Sequence, residues 1–296
     1  MTAESIAGRP VRRLPRYRLR RNLNQASALA VAVLVLIWTL APIYNMVAVA
    51  LEKHGTVFTN DIWPQHPSLE SFRVVASEDY WYLTDFWHQF GNSLYVGVAT
   101  VFFTLLIGSL AAFSISRMRI RHGWVLSNTA LMTYVIPSSF LAIPFYRIMQ
   151  NYGLTNNLWS VIAAEVTFAT PYAIFIFQQY SASIPLELDE AARIDGASPL
   201  QIYLRIYLPL MAPALVAVGT YALLLAWNEY LYQFMLLSSK RNMTVAVALA
   251  QFLNSDEAPW NYMMATAIIY AVPPVAIYYV FRRRMTAGLT MGGVKG

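Results

Sequence analysis

Cysteine is absent from the 296-residue chain, which excludes disulfides and thiolate metal sites. Charge is scarce as well. Asp, Glu, Lys and Arg together make up 12% of the residues, against roughly 25% in soluble domains. The four histidines, at 54, 66, 88 and 122, are scattered along the chain. Neither H-E-x-x-H nor G-x-S-x-G occurs, so the common zinc-hydrolase and serine-hydrolase arrangements are excluded. No fixed-period repeat and no low-complexity linker divides the sequence. Apolar bulk takes the place of charge: 57% of the residues are hydrophobic, with 19 Tyr, 15 Phe and 8 Trp. That composition belongs to an all-α polytopic membrane protein with aromatic belts at its two interfaces.

Six apolar stretches, each long enough to cross a bilayer core that takes roughly 20 helical residues, are read at about 26–51, 92–116, 124–146, 158–178, 211–236 and 260–281. Ahead of the first, residues 1–25 carry seven arginines and one acid. A basic start before an apolar run is also the pattern of a secretory signal, and Ala48-Val49-Ala50 resembles a cleavage site. Signal cores run only about 7–15 residues, so a retained first span is expected. Residues 52–90 hold six acids against two basic residues and read as an extracytoplasmic loop with a short interfacial helix around 84–90. Pro137 and Pro144 fall on nearly one face of the third span, where a kink packed against neighbours is expected. Residues 147–157 read as a turn and 237–259 as a polar loop.

Orientation follows from the basic residues. With the N-terminus inside, 16 of the 21 Lys and Arg lie on the inner side, which the positive-inside rule associates with the cytoplasm. The expected organisation is a cytoplasmic basic segment 1–25, a six-helix transmembrane domain 26–284 and a cytoplasmic tail 285–296. Because the basic residues sit at membrane flanks, no nucleic-acid partner is expected.

Residues 185–209 are the strongest polar patterning in the chain. Glu187, Asp189, Glu190 and Asp195 are four of its 15 acids. Pro185 suits a first helical turn, and the acids that follow complement a helix N-terminus. Asp189 and Glu190 precede Arg193 at ion-pairing distance along one helix. Gly196 is the natural terminator. Ser198 and Gln201 form a capping box around Pro199, and Pro209 is expected to stop the second helix. Two short helices projecting beyond the membrane are predicted.

Glu190-Ala191-Ala192, Gly196 after three residues, and Ile206 and Leu208-Pro209 after nine more resemble the EAA loop of ABC importer permeases. The likeness continues through Ser183–Leu215, the AWNEYLY segment 226–232 and the AGLTMGGVKG tail. By these residues the chain is identified as a member of the maltose-transporter type of carbohydrate-uptake permease. The resemblance implies a type I ABC importer permease fold in a bacterial inner membrane, crossing it several times. It also implies a second homologous permease, two copies of a cytoplasmic ABC ATPase, an extracytoplasmic solute-binding protein, a small sugar substrate and surrounding lipid. ATP and Mg would be bound by the ATPase subunits; no catalytic residue, metal or cofactor is expected on this chain.

The same resemblance assigns ATPase coupling to Glu187, Glu190, Ala191, Ala192, Arg193, Asp195, Gly196, Leu200, Ile206 and Pro209. Small residues create little affinity alone, so Ile194, Leu200 and the charges are expected to supply contact energy. Gly292, Gly293 and Lys295 look superficially like a phosphate loop. They lack the Gly-Lys-Ser/Thr of a Walker A motif, and the resemblance implies that this tail reaches the ATPase instead.

Glu165, Trp227, Asn228, Glu229 and Tyr230 are the candidates for a substrate path, because ionisable residues within spans usually face a bundle interior or a water-filled cavity. Two readings are open for each. Glu165 and Glu229 either grip sugar hydroxyls or are structural, the latter pairing with the partner permease; Trp227 either stacks on a sugar or packs. A secondary transporter, the rival reading, would show inverted repeats, and none is visible.

Overall fold

In lipid an apolar run satisfies its own backbone most simply as a helix, and every regular element among the described residues is helical. The computed structural model describes residues 15–53, 62–118, 120–254 and 259–290. The chain runs through α1 (Pro15–Ala50), α2 (Glu70–Ser77), α3 (Phe86–Arg117), α4 (Gly123–Met132) and α5 (Ser138–Asn151). There follow α6 (Leu158–Ser181), α7 (Glu187–Ile194), α8 (Pro199–Ile202), α9 (Leu208–Leu210) and α10 (Ala212–Asn228). The series ends with α11 (Leu231–Leu236), α12 (Val245–Gln251) and α13 (Trp260–Thr290).

The centre is the pair α3 and α6, with α10 lying against both and α13 against α10. Close approach is set by small residues: a Cβ added to Gly108 would stand 2.8 Å from the Ala173 Cβ and 3.3 Å from the Phe177 ring. Helices in lipid gain no hydrophobic drive from association, so this kind of tight crossing supplies the dispersion energy that holds them. α1 stands apart. Its apolar stretch from Asn22 leaves Leu34 and Trp38 exposed, and it meets α13 near its buried end at Ala48 and Ala50.

Among the described residues four helices are long and apolar enough to cross a membrane, and six if each of two bent pairs is one span. The third and fifth stretches depart from the continuous spans expected. The third is broken rather than kinked: α4, with its 3-10 turn, and α5 meet at 100°. Proline disfavours helical backbone in the residue before it, and Ile136 is extended, at φ −88 and ψ 117, ahead of Pro137. Pro144 by contrast sits inside α5. The fifth stretch breaks at Glu229, which is extended (φ −72, ψ 131), so α10 and α11 are separate. The supposed interfacial helix at 84–90 merges into α3, and the loop 237–259 contains α12, which buries Val245, Val247 and Ala248.

At the α2 end the connections are pinned by side chains. Asn92 Nδ2 donates to the carbonyls of Arg241 (2.8 Å) and Met243 (2.9 Å), and the Asn156 carboxamide oxygen accepts from the backbone of Ser238 and Ser239.

The crossing gives a direct test. Gly108→Ala should cost about 1–3 kcal/mol through overpacking, seen as a lower Tm of the purified protein in detergent. Gly91→Ala, where an added Cβ meets nothing within 4 Å, should leave Tm unchanged or raise it.

Candidate functional site

Local sequence fixes the shape of the 184–210 segment. α7 ends at Gly196, whose φ of +82 lies in the left-handed region. There the Gly196 N–H donates to Arg193 O (3.0 Å) and the Ala197 N–H to Ala192 O (2.9 Å), the paired bonds of a glycine-terminated helix. Ser198 and Gln201 form the capping box, the Ser198 hydroxyl accepting from the Gln201 N–H at 3.3 Å and the Gln201 side chain from the Ser198 N–H at 2.7 Å. α8 widens into a π turn over Tyr203–Tyr207, with the Leu208 N–H bonding back to Tyr203 O. Proline at 209 has no N–H for the carbonyl four residues earlier, and a π turn is a local way to absorb that loss. One expectation changes here: Pro185 lies ahead of α7, which starts at Glu187. The second helix ends at Leu210, just past Pro209, and the axis then bends by 77° into α10.

α7 has two faces. Glu187, Glu190, Ala191 and Ile194 recur at helical spacing and are all exposed, Ile194 at 87%. Leu200 adds a second exposed apolar side chain at 62%, and Asp195, Arg205 and Pro209 are also exposed. On the other face Asp189 is buried and Ala192 packs against the cluster of Phe177, Ile202, Tyr203 and Tyr207; Ile206 is half-buried. The two alanines thus part company, Ala192 inward and Ala191 outward.

Asp189 does not pair with Arg193 along the helix. Its partner is Arg117, the last residue of α3, at 3.5 Å, an ion-pair distance rather than a hydrogen bond, with both side chains almost wholly buried. Arg117 Nη2 also donates to the carbonyls of Ser181 (3.1 Å) and Ile184 (3.0 Å), and its guanidinium lies 5.9 Å from the Tyr207 ring centroid. Arg193 donates to the Arg117 carbonyl at 3.3 Å. One arginine therefore joins α3, the end of α6, α7 and the π turn. Sequence reasoning missed this residue: with Arg119 and Arg121 it belongs by sequence to a short basic loop between the second and third apolar stretches, and nothing local marks it as buried.

A second site lies at membrane depth. The breaks at Pro137 and Glu229 open a cavity of about 820 Å³ lined by residues of α4, α5, α6, α10 and α11, Glu165 and Glu229 among them. Glu165 is fully buried and neither carboxyl oxygen has a hydrogen-bond partner. Glu229 caps α11, its oxygens accepting from the N–H groups of Tyr232 (3.0 Å each) and Gln233 (3.1 Å). Trp227 is away from this cavity. Its ring is buried and stacked on Tyr270 at 4.7 Å, and the two exchange side-chain-to-carbonyl hydrogen bonds. Asn228 is exposed and donates to Leu224 O (2.8 Å), and Tyr230 stacks on Phe234. The five candidates therefore separate: Glu165 and Glu229 share one cavity, and the other three do not line it. Gly292, Gly293 and Lys295 lie outside the described residues.

Comparison with known proteins places the chain. Residues 104–290 match the family described as binding-protein-dependent transport system inner membrane component. The inner membrane ABC transporter permease protein YcjP of Escherichia coli is 31% identical, covering 94% of this chain and 99% of that protein. The trehalose transport system permease protein SugB of Mycobacterium tuberculosis is 31% identical over 89% of this chain and 95% of its own length. In fold the chain resembles a bacterial ABC transporter involved in the import of the acidic polysaccharide alginate, with TM-score 0.73 and 22% identity over 88% of this chain and 96% of that one. The chain belongs to the family of inner-membrane permease components of binding-protein-dependent ABC transport systems.

Removing one partner of a buried ion pair costs more than removing both. Arg117→Met should destabilise by about 3–5 kcal/mol, and adding Asp189→Leu to it should recover a large part of that loss. Thermal unfolding of the two single variants and the double variant, compared as a cycle, checks this.

Proposed function

We propose that this chain forms one transmembrane half of an ATP-driven importer for a sugar or oligosaccharide. Its α7 stripe is the surface through which a separate ATPase acts. The observation that supports this most directly is the pairing of an exposed stripe with a rigid anchor. Ile194 of α7 and Leu200 of α8 are exposed, while the reverse side of α7 is fixed to α3 and α6 through Arg117. A surface of that kind costs solvation in the isolated chain and is explained by a partner that covers it.

In this reading Glu187, Glu190, Ala191, Ile194 and Leu200 touch the ATPase. Ala192, Arg193, Gly196, Ile206 and Pro209 shape the loop, and Asp195 sits at the rim. ATP and Mg belong to two copies of the ATPase, and a second homologous permease completes the pathway. A solute-binding protein delivers substrate from the opposite side. The excess of basic residues at the N-terminus, the 117–121 loop and the C-terminal tail supports a cytoplasmic position for α7. Trehalose transport by a relative covering most of the chain supports a saccharide cargo.

Reconstitution with the partner subunits in liposomes tests the reading. Uptake should require ATP and be lost on deletion of residues 187–198; transport that persists without ATP or survives the deletion would sink it. A finer variant is Ile194→Glu, which changes an 87% exposed side chain. It should leave the unfolding free energy within about 0.5 kcal/mol of wild type while reducing co-purification of the ATPase by about tenfold or more, the loss of a buried apolar contact of roughly 1.5–3 kcal/mol.

A further inference from the structure

Between α3, α10 and α13 lies a second opening, a groove of about 320 Å³. Its floor is Gly219, Thr220 and Leu223 of α10, all buried, and its rim is the half-buried Leu105, Ile277 and Phe281. The floor is deep because residue 219 is glycine: a Cβ there would stand 3.5 Å from Leu105 and Val101, and a larger side chain would enter the groove. Thr220 is the one polar residue in the lining, and its hydroxyl donates to Val216 O at 2.8 Å. A water needs two to four polar partners, and these walls do not supply them. α10 and α13 run antiparallel from the Trp227–Tyr270 stack, which brings Phe281 beside Leu215 and Val216 at the other end of the groove. There α13 continues as Arg282-Arg283-Arg284. Ile277, Phe281 and Arg284 follow one another at i, i+4 and i+7, so Arg284 belongs to the groove face of the helix. The Arg282 guanidinium lies 3.9 Å from the Tyr279 ring centroid. None of the three helices contains Asp or Glu.

We propose that this groove is a lipid site: it holds one acyl chain of an anionic phospholipid, whose phosphate is bound at the Arg282–Arg284 end with Arg284 as the main contact. Dimensions single out this occupant. From Leu215 to Leu223 the groove follows α10 for about 12 Å, close to the roughly 15 Å that one leaflet contributes to a bilayer core. A helix of another subunit is too thick to enter. A helical segment of that length fills on the order of 1,000 Å³, against the 320 Å³ present. Charge then selects the headgroup. Each arginine at a membrane surface favours anionic lipid by about fivefold in binding, and no carboxylate on the three helices offsets that preference. A zwitterionic lipid would place the same chain in the groove without this gain. The inference goes beyond the importer reading and stands without it.

The test uses the purified complex of this chain with its partner subunits in nanodiscs. The probes are phosphatidylglycerol and phosphatidylcholine bearing the same photoactivatable acyl chain. Adducts are mapped by peptide mass spectrometry and divided by those over the rest of the chain, so that bulk lipid contact drops out. Peptides holding residues 98–105 and 215–223 should take the phosphatidylglycerol label at least about fivefold more than the phosphatidylcholine label. Arg284→Gln should lower that ratio by about fivefold. Gly219→Leu, which fills the groove, should remove the groove adducts of both lipids with the subunits still co-purifying. Equal labelling of these peptides by the two lipids would overturn the proposal, as would a ratio unchanged by Arg284→Gln. Groove peptides without lipid adducts in the assembled complex would overturn it too, since a protein neighbour would then cover the groove. If Gly219→Leu fails to assemble, the wild-type ratio and Arg284→Gln decide the matter. Labelling needs neither ATP nor cargo, so its failure leaves the importer reading standing, and uptake without ATP leaves the lipid site standing.

Discussion

Burying a guanidinium at the end of a membrane helix removes it from water at a cost of several kcal/mol, and the 184–210 segment is folded so as to offset that cost. Arg117 is 3% exposed. It receives the Asp189 carboxylate, two carbonyls from the end of α6 and the face of Tyr207. Each contact fixes something else. The carboxylate sets the rotation of α7, and rotation decides that Ile194 points outward while Ala192 packs inward. The carbonyls hold α6 beside α3 at the end where neither has further helix to pack. The ring contact requires the π turn to present Tyr207, which is buried against Phe113. Without the pair, the loop would keep its caps but lose its orientation.

The other end of the bundle follows a different constraint. Irregular backbone at membrane depth is tolerated where protein or a cavity receives it, and both breaks meet that condition. Ile136 and Pro137 turn the chain beside the cavity, where the Ser138 carbonyl accepts from the Tyr232 hydroxyl. Glu229 leaves α10 in an extended conformation and spends its carboxylate on the first free N–H groups of α11. The cavity is thus a by-product of two helix breaks whose backbone is satisfied locally. Glu165, buried in the wall, keeps both carboxyl oxygens without a hydrogen-bond partner.

Much of this was legible in the sequence where the cause is local. The terminator at Gly196, the capping box at Ser198 and the apolar runs behind α3, α6 and α13 depend on neighbours a few residues away, and each stands where its pattern placed it. The misses have long-range causes. Asp189 has Arg193 within reach by sequence logic, yet its partner is Arg117, 72 positions away in the chain. Trp227 and Glu229 are two residues apart, about 200° round a helix, so they face Tyr270 and the cavity respectively, and closeness in sequence did not place them on one site. Pro137 and Pro144 look alike on a helical wheel. They differ because Ile136 is free to become extended while Pro144 lies inside the helix α5.

The two sites share their helices, and this determines how one can affect the other. Glu165 and Ser181 lie on α6, 16 residues or about 24 Å apart, with Ala173 midway between them. At that midpoint α6 meets Gly108 of α3, and a single added carbon on Gly108 would come within 2.8 Å of Ala173. Close-packed interiors have low compressibility and transmit displacement rather than absorb it. A force on α7 reaches α3 and α6 together through Arg117, so it does not slide one past the other at this crossing. What it can do is tilt the pair as a unit about the crossing, and the opposite ends of that unit carry the cavity wall. The joints that can yield are the bend after Leu210 and the breaks at Ile136 and Glu229. Two of these three, at Ile136 and Glu229, border the cavity, so a tilt entering at the anchored end is taken up beside it.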